Sequence, residues 1–411
     1  MVFINRFFYP DQSATSQLLT DLAFHFAEKS HPVTVITSRQ LYGDARSLLP
    51  PQEELRGVKI CRVWSTRFGR AKLLGRALDY ATFYLGVAAA LFKMVRAGDT
   101  VIAKTDPPLI SVVAAAITTL SGARLINWTQ DLFPEIAGAL DITGTRILEP
   151  GLRWLRNRAL KMAACNIVIG EHMAGRLRGE GVPASTIRVI HNWADSVAVR
   201  PIAHHDNPLR IDWNLQDKFV VGYSGNLGRA HEFQTILQAA EQLACSPTIR
   251  FLFIGDGAQL LALRQAVDQR GLSNVLFQPY QPRDRLSYSL SASDLHLVSL
   301  RPELEGLIVP SKFYGIAAVG RPVLFMGSPT GEIARILREH HCGYTVGIGD
   351  TNQTVAIIAK LAGDESECRC LGQAARSALE QFYDRQVAFR AWDELLTPGL
   401  KAGRISGLSS S

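Results

Sequence analysis

Residues 303–323, ELEGLIVPSKFYGIAAVGRPV, have the pattern of a loop, a helix and the start of a strand. Pro310 favours the first position of a helix, where its missing N–H costs nothing, and Gly320 is typical of a helix C-terminus. A glycine-containing loop before a helix presents unpaired N–H groups at the positive end of the helix dipole. Because Lys312 adds a full charge there, the stretch predicts an anion site, interpreted as a diphosphate site. The alternative is an ordinary loop–helix junction, since most such junctions bind nothing.

On both sides of this stretch, short apolar runs alternate with helical patterns. Strand–loop–helix–strand units of this kind indicate parallel sheets, and 411 residues favour two domains. We therefore expect an α/β protein with two Rossmann-like domains. The expected parts are an N-terminal domain at 1–195, a linker at 196–217, a second domain at 218–382, a C-terminal helix at 383–397 that crosses back to the N-terminal domain, and a disordered tail at 398–411.

The composition is that of a folded, soluble protein, with 47% hydrophobic and 20% charged residues. A net charge of +7 favours anionic partners such as nucleotides, phospholipid surfaces or nucleic acid, but no nucleic-acid motif accompanies it. The six cysteines are scattered without a C-x-x-C pair, and no signal peptide is evident at the N-terminus. We expect a cytoplasmic protein with reduced thiols and no nucleic-acid partner.

Residues 67–96 combine basic and apolar side chains in an unusual order. Arg67, Arg70 and Lys72 come first, and the thirteen residues 80–92 carry no charge. This apolar run is too short to span a bilayer, which takes about 20 residues. Two interpretations stay open: a basic amphipathic segment on a membrane surface, and a buried helix with a solvated basic edge. A strongly basic helix is also predicted at 145–163.

Two tandem Rossmann-like domains create a cleft between the carboxyl edges of their sheets, where ligands bind. Glycine-bearing turns occur at this edge of the second domain, and Arg229 and Lys312 lie at two of them. Arg229, with a planar fork, and Lys312, as a point charge, are predicted to clamp a diphosphate from two sides. In the first domain, Gln130 and Asp131 follow a strand. Asp131 is a candidate base, or equally the cap of the next helix.

Taken together, these motifs resemble retaining glycosyltransferases of family 4. The nucleotide-sugar domain of that family is matched by GYSGNLGRAHEF, FIGDGAQLLALR, NVLFQPYQPRDRL, SASDLHLVSL and VPSKFYGIAAVGRPV. The acceptor domain and hinge are matched by FFYPDQSATSQLLTDLAFHFAEKSHPVTVIT, QDLFPE and IRVIHNWAD. The resemblance covers about residues 1–395 and is nearest to a bacterial surface-polysaccharide subgroup that includes the O-antigen L-fucosamine transferase type.

This resemblance implies the GT-B fold and a retaining hexosyltransferase. The enzyme would move a sugar from a UDP- or GDP-sugar onto a glycan acceptor, expected to be linked to polyprenyl diphosphate, in O-antigen, capsule or exopolysaccharide synthesis. It would lie on the inner face of the cytoplasmic membrane, against an anionic surface. No cofactor and no metal are expected, because the chain has no D-x-D motif and Lys312 supplies positive charge.

The resemblance also implies roles for particular residues. The expected catalytic residues are Asp131, Arg229 and Lys312. The expected donor-binding residues are Gly225, Asn226, Arg229, Gly255, Tyr280, Pro282, Glu303, Glu305, Gly306, Leu307, Ile308 and Lys312. The expected acceptor-binding residues are Ser13, Ala14, Thr15, Gln130 and Asp131.

The chain also departs from the family pattern. Leu307 and Gly315 stand where the family has a pair of glutamates, so Glu303 or Glu305 is expected to supply the ribose carboxylate. Gln130 replaces a histidine, and the loop at 13–15 lacks a double glycine. Two alternatives remain: a non-hydrolysing nucleotide-sugar 2-epimerase, whose carboxylate–histidine set is not seen here, and a non-catalytic nucleotide-sugar-binding subunit.

Overall fold

Two β-sheets flanked by helices form the framework of the protein. A computed structural model describes residues 1–42, 48–69, 73–141 and 147–396. The tail predicted to be disordered lies outside the described residues, as do the basic residues Arg70, Lys72 and Arg146.

The first sheet has eight strands in the order β3-β4-β2-β1-β5-β6-β7-β8. Its strands are β1 (Val2–Ile4), β2 (Val33–Ser38), β3 (Gln52–Leu55), β4 (Val58–Val63), β5 (Thr100–Lys104), β6 (Arg124–Thr129), β7 (Cys165–Val168) and β8 (Ile187–Val189). All pairs are parallel except β3 with β4, an antiparallel hairpin that the sequence did not predict. Its turn uses Arg56 and Gly57, both at positive φ (49° and 77°), as tight hairpin turns require.

The helices of the first domain cover both faces of this sheet. They are α1 (Ala14–Glu28), α2 (Leu73–Met94), α3 (Ile110–Ser121), α4 (Glu135–Ala139), α5 (Glu149–Met162) and α6 (Glu171–Gly179). Helix α1 buries Leu18, Leu19, Leu22 and Phe26 in the core. Within the segment 67–96, residues 73–94 form one long helix, α2, and residues 64–69 have no regular secondary structure.

The segment expected to be a linker, 196–217, is partly folded into the second domain. It contains the short helix α7 (Pro208–Asp212), whose Leu209 and Arg210 are buried. The Arg210 guanidinium donates to the carbonyls of Ala292 (2.9 Å) and Leu215 (2.7 Å) and contacts Asp294 (3.1 Å). A buried guanidinium is stable only when its N–H groups have hydrogen-bond partners, and here those partners belong to the second domain. Residues after about 207 are therefore part of that domain. The polar composition of this segment favoured a linker and did not predict that Arg210 would be buried.

The second sheet has six parallel strands in the order β11-β10-β9-β12-β13-β14. Its strands are β9 (Phe219–Ser224), β10 (Ile249–Ile254), β11 (Val275–Gln278), β12 (Leu295–Ser299), β13 (Val323–Met326) and β14 (Gly343–Val346). Its helices are α8 (Gln234–Gln242), α9 (Leu260–Arg270), α10 (Leu286–Ser291), α11 (Lys312–Ala318), α12 (Glu332–His340), α13 (Thr351–Gly363) and α14 (Glu365–Ala378).

The last helix returns to the first domain. A π-helical turn, Leu379–Tyr383, follows α14 and leads into α15 (Arg385–Leu396). Trp392 of α15 is fully buried and meets Trp128 of β6 edge to face, with ring centroids 5.0 Å apart. The chain therefore closes the first domain with its own C-terminal helix, and Trp392 is the largest side chain that this helix contributes to the core.

Replacing Trp392 by Ala is expected to lower the free energy of unfolding by about 3–5 kcal/mol, because it leaves a large cavity against Trp128. Urea unfolding followed by far-UV circular dichroism measures the change. Trp154→Ala is the matched control, since Trp154 is 61% exposed and its loss should cost less than about 0.5 kcal/mol. Equal unfolding midpoints for the two variants would contradict this packing.

Candidate active site

The glycine turns of the second domain bring backbone segments into close contact at the carboxyl edge of its sheet. Gly225 follows β9 at φ 126° and Gly255 follows β10 at φ 141°. A Cβ atom on Gly255 would lie 2.2 Å from the carbonyl oxygen of Gly225, so only glycine fits. A Cβ on Gly225 would lie 2.8 Å from Cε of Lys312. Gly255 therefore makes room for the backbone of Gly225, and Gly225 makes room for the lysine side chain.

Lys312 is a largely enclosed cation at the first residue of α11. Its Nζ donates to the carbonyl of Asn226 (3.3 Å) and lies 3.1 Å from Nε2 of His231. The ammonium also lies 4.9 Å from the ring centre of Tyr223. Among the described residues no Asp or Glu forms an ion pair with it, and burial lowers the pKa of Lys312 to about 7. A cation in such surroundings is a strong candidate to bind an anion.

The other predicted donor residues line the open side of the same edge. Asn226 and Arg229 are exposed, as are Tyr280 and Pro282. Tyr280 lies close enough to Tyr42 of the first domain for the two phenols to interact electrostatically. The structure thus places this group at the mouth of the cleft, while Lys312 lies deeper.

The loop before α11 is occupied by contacts within the protein. The Glu305 carboxylate accepts from the backbone N–H of Glu332 (3.3 Å), and the Glu305 carbonyl accepts from Nε of Arg176 (2.9 Å). Gly306, at φ 73°, leaves space for Arg176, because a Cβ there would lie 2.8 Å from its Nε. The expectation that Glu305 supplies a ribose carboxylate therefore meets a physical obstacle, since this side chain faces the start of α12. Glu303 is exposed.

The backbone of Leu307 and Ile308 was expected to help hold the diphosphate. Both N–H groups instead donate to the carbonyl of Leu304 (3.0 and 3.3 Å), which closes a tight turn. The carbonyl of Leu307 accepts from the N–H of Leu132 in the first domain (2.9 Å). Helix α11 also begins at Lys312 rather than at Pro310 and is short. The positive charge at this edge therefore comes mainly from the lysine side chain.

Asp131 lies just beyond β6, on the side of the first domain that meets this loop. The residue is exposed, and it lines a cavity of about 30 Å³ together with Thr105, Asn127 and Thr129. Loss of hydration next to the surrounding protein raises the pKa of Asp131 to about 6; the Asp106 carboxylate raises it further, and the Lys104 ammonium opposes the shift. A carboxylate with this pKa can accept a proton near neutral pH.

Lys104, at the end of β5, is a residue of this region that sequence reasoning missed. It is fully buried, donates from Nζ to the carbonyl of Thr15 (2.8 Å), and lies 3.6 Å from the ring centre of Trp128. Burial lowers its pKa strongly, while the carboxylates of Asp131 and Asp106 oppose that shift. A basic residue at the carboxyl end of a strand was the available signal. Lys104 connects the predicted acceptor loop to the surroundings of Asp131.

The remaining predicted acceptor residues are partly brought together. Gln130 is buried; its Oε1 accepts from Asn192 (2.9 Å) and its N–H donates to Thr105 (2.7 Å). Ser13, Ala14 and Thr15 lie at the start of α1, where Asp11 accepts from the Ser13 N–H (2.8 Å). The Thr15 carbonyl accepts from Lys104, which connects the start of α1 to the end of β5.

Comparison with known proteins agrees with this architecture. Residues 15–193 match the model of a glycosyl transferase 4-like domain, and residues 208–378 match that of glycosyl transferases group 1. A probable glycosyltransferase of Pseudomonas aeruginosa, WbjE, is 26% identical over 82% of this chain and 84% of its own length. A putative colanic acid biosynthesis glycosyl transferase of Escherichia coli, WcaI, is 29% identical over 60% of each chain. The crystal structure of Anabaena HepE in complex with UDP superposes with a TM-score of 0.72, at 16% identity over 97% of this chain and 99% of that chain.

The class defined by the fold and these matches is the GT-B glycosyltransferases. Within that class, residues 15–193 are similar to the glycosyl transferase 4-like domains and residues 208–378 to the glycosyl transferases of group 1.

Lys312→Met is expected to weaken the binding of inorganic pyrophosphate about tenfold at pH 6, because a charge-assisted contact is lost. The Lys312 cation is present below pH 7 and disappears above it, so the ratio of wild-type to Lys312→Met affinity should fall toward one as the pH rises through 7. Isothermal titration calorimetry at each pH gives this ratio, in which the titration of pyrophosphate itself cancels.

Lys360→Met is the matched control, since Lys360 is exposed on α13 and pairs with Glu367 (2.8 Å). It should bind pyrophosphate as the wild type does. A wild-type to Lys312→Met ratio near one at pH 6 would remove Lys312 from the anion site.

Proposed function

We propose that the protein is a retaining glycosyltransferase of bacterial surface-polysaccharide synthesis. It transfers a sugar from a UDP- or GDP-sugar to a lipid-linked glycan, of the kind handled by the L-fucosamine transferase subgroup. The observation that carries the proposal is the half-buried Lys312 ammonium, unpaired with any described carboxylate, at the ligand edge of the group 1 domain. HepE, which shares the fold, was crystallised with UDP and with UDP-glucose, and WbjE and WcaI are named as glycosyltransferases, WcaI of colanic acid biosynthesis.

The charge that develops in the reaction suits this site. As the bond between the anomeric carbon and the phosphate oxygen breaks, the leaving nucleoside diphosphate gains negative charge. Lys312 lies where that charge would develop, and Arg229 is exposed at the same edge. One preorganised contact of this kind is often worth about 2–4 kcal/mol of the barrier. We propose that these two side chains, rather than a metal ion, stabilise the leaving group.

The first domain would supply the acceptor. Its hydroxyl oxygen attacks the anomeric carbon on the face that the diphosphate leaves, so that the configuration is retained. The hydroxyl proton passes to Asp131 or to the leaving phosphate. Because Asp131 has a pKa of about 6, it is mostly ionised at neutral pH and able to accept that proton. The hydrogen bond from Leu132 to Leu307 places this carboxylate next to the loop that leads to Lys312.

Incubation with a panel of UDP- and GDP-sugars and a polyprenyl-diphosphate-linked sugar tests the proposal. We expect transfer that depends on both substrates and survives EDTA, with the anomeric configuration of the product read by NMR. Asp131→Asn should reduce transfer while leaving the affinity for UDP or GDP unchanged, since Asp131 lies in the acceptor domain. Interconversion of sugars without acceptor would indicate an epimerase instead, and binding without turnover would indicate a non-catalytic subunit.

We further propose that the first domain rests on an anionic membrane surface. Helix α2 exposes an apolar stripe along its length, with Leu74, Leu85 and Phe92 at 82%, 71% and 72% exposure. Its neighbours α3 and α5 add Leu120 and Trp154, at 76% and 61%. Among the described residues, no helix is both long and apolar enough to cross a bilayer. An exposed apolar stripe with cations beside it suits interfacial binding.

The basic residues of α5 contribute less to this surface than their number suggested. Arg156 is buried and paired with Glu135 (2.6 Å), and Arg153 is paired with Glu180. Arg158 and Lys161 remain exposed on the same helix. Each exposed cation near an anionic membrane adds about 1 kcal/mol. The apolar stripe of α2 therefore adds to the proposed contact, while the attraction to an anionic surface depends on the exposed cations.

The protein is expected to float with phosphatidylglycerol-containing vesicles at low salt and to be released at high salt, because the cations act within a Debye length. Leu85→Ser combined with Phe92→Ser should reduce the bound fraction severalfold. Leu261→Ser is the control, since Leu261 is 70% exposed but lies on α9 of the other domain. Recovery in the soluble fraction that is equal with and without salt would exclude this surface.

A further inference from the structure

His231, in the loop between β9 and α8, joins Lys312 to the end of β12. Its Nδ1 lies 2.5 Å from the carbonyl oxygen of Ser299, and its Nε2 lies 3.1 Å from Nζ of Lys312. A carbonyl oxygen only accepts hydrogen bonds, so Nδ1 must carry the proton. In the neutral ring Nε2 is then an acceptor, and the lysine ammonium donates to it. The carbonyl of Ser299 thereby sets the tautomer that the lysine requires.

We propose that His231 is a positioning residue for the donor diphosphate: it accepts a hydrogen bond from the Lys312 ammonium and holds that cation beside Gly225 without neutralising it. The proposal rests on the donor site of the proposed function and adds a residue that acts only through Lys312. His231 follows Arg229 closely in the chain, but its role could not be inferred from that position.

The surroundings of His231 keep its ring neutral. The imidazole packs edge to face against Tyr223 and near Phe233, with centroids 5.8 and 6.4 Å away. Burial lowers the pKa of His231 to about 3, and the Lys312 charge lowers it further, against the opposing bond to Ser299. At neutral pH the ring therefore cannot repel or replace the lysine charge. Because Nδ1 already donates to Ser299, the neutral ring can still accept one hydrogen bond at Nε2.

Because the His231 ring is neutral, it leaves the charge of Lys312 available to a ligand. An ammonium has three N–H donors, and two of them are directed to His231 and to the carbonyl of Asn226. The third is left for a ligand. A carboxylate at the position of His231 would form an ion pair with Lys312 and weaken its attraction for phosphate. An imidazole orients the side chain and leaves its charge available.

Few other titratable groups face this lysine. Tyr223, on β9, lies under the ammonium, and its hydroxyl donates to the carbonyl of Asn226 (3.0 Å). Burial raises the pKa of Tyr223 well above its usual value, so the phenol stays neutral. Among the described residues no acidic side chain acts on Lys312, whose pKa of about 7 reflects burial. The pH at which Lys312 loses its charge therefore depends on its burial and on its hydrogen bonds, not on a neighbouring carboxylate.

Two polar substitutions separate the two hydrogen bonds of His231. The amide of His231→Asn reaches the position of Nδ1 and keeps the bond to Ser299, but is too short to meet Lys312. The amide oxygen of His231→Gln reaches the position of Nε2 and keeps an acceptor for the ammonium. Affinities for UDP and GDP are measured by calorimetry from pH 6 to pH 9 in the full-length protein, together with Lys312→Met as the reference.

His231→Asn is expected to bind the nucleotide that the wild type prefers about tenfold more weakly at pH 7, since a charge-assisted hydrogen bond is lost. Without that bond the charged form of Lys312 is less stable. The pH at which affinity falls toward that of Lys312→Met should therefore move down by about one unit. His231→Gln should restore both the affinity and the midpoint to near wild-type values.

His296→Gln is the matched control, because His296 is a fully buried histidine of the same domain that also bonds to a carbonyl, that of Leu290 (2.8 Å). It should leave the pH profile unchanged even if it lowers the melting temperature. Equal affinity and midpoint for His231→Asn and the wild type would overturn the positioning role while leaving the donor site intact. If the wild type binds neither UDP nor GDP, the proposed donor site fails, and the role of His231 with it.

Discussion

The arrangement of the candidate site depends on hydrogen bonds that cross from one domain to the other. The Glu332 carboxylate, 1% exposed, accepts from the N–H (3.1 Å) and Nδ1 (2.9 Å) of His172, at the start of α6. A Cβ on Gly170 would lie 2.7 Å from its carboxyl carbon, so the glycine permits this approach. Burial alone would raise the pKa of Glu332, but Arg335 and His172 hold it below its usual range. An unpaired charge at this depth would cost several kcal/mol, which makes the contact between the domains specific.

This contact lies beside the loop that connects the two halves of the site. The Leu132–Leu307 hydrogen bond and the Arg176–Glu305 bond fix that loop from the side of the first domain. Asp131 precedes Leu132, and Lys312 begins the helix that the loop leads into. The carboxylate and the ammonium that we propose as proton acceptor and anion-binding group therefore lie at the two ends of the contact between Leu132 and the 304–308 loop, although they belong to different sheets. This geometry suits the proposed glycosyl transfer, in which the first domain binds the acceptor and the second binds the donor.

Lys312 illustrates how polar groups are arranged around a half-buried charge. A lone ammonium with a low pKa would normally find a carboxylate, yet here its described partners are a carbonyl, an imidazole and an aromatic face. Each of these orients the cation, and none cancels it. The Glu305 carboxylate instead accepts from the start of α12, and the Glu332 carboxylate accepts from Arg335 and His172. The resulting excess of positive charge at the sheet edge is a property of the whole arrangement.

The sequence by itself determined the α/β class, the two parallel sheets and the glycosyltransferase resemblance, because these follow from local periodicity and from motifs such as PSK and GRPV. It also identified Lys312, since a lysine at the junction of a glycine-containing loop and a helix can be recognised from the sequence alone. The tertiary structure alone decided what each polar side chain faces. Glu305 turned toward α12, Arg156 toward Glu135, and Arg210 into the second domain. His231 and Lys104 became part of the site through residues far away in the chain, and the physical reason is that buried charges take their partners from whatever the folded sheets bring within hydrogen-bond distance.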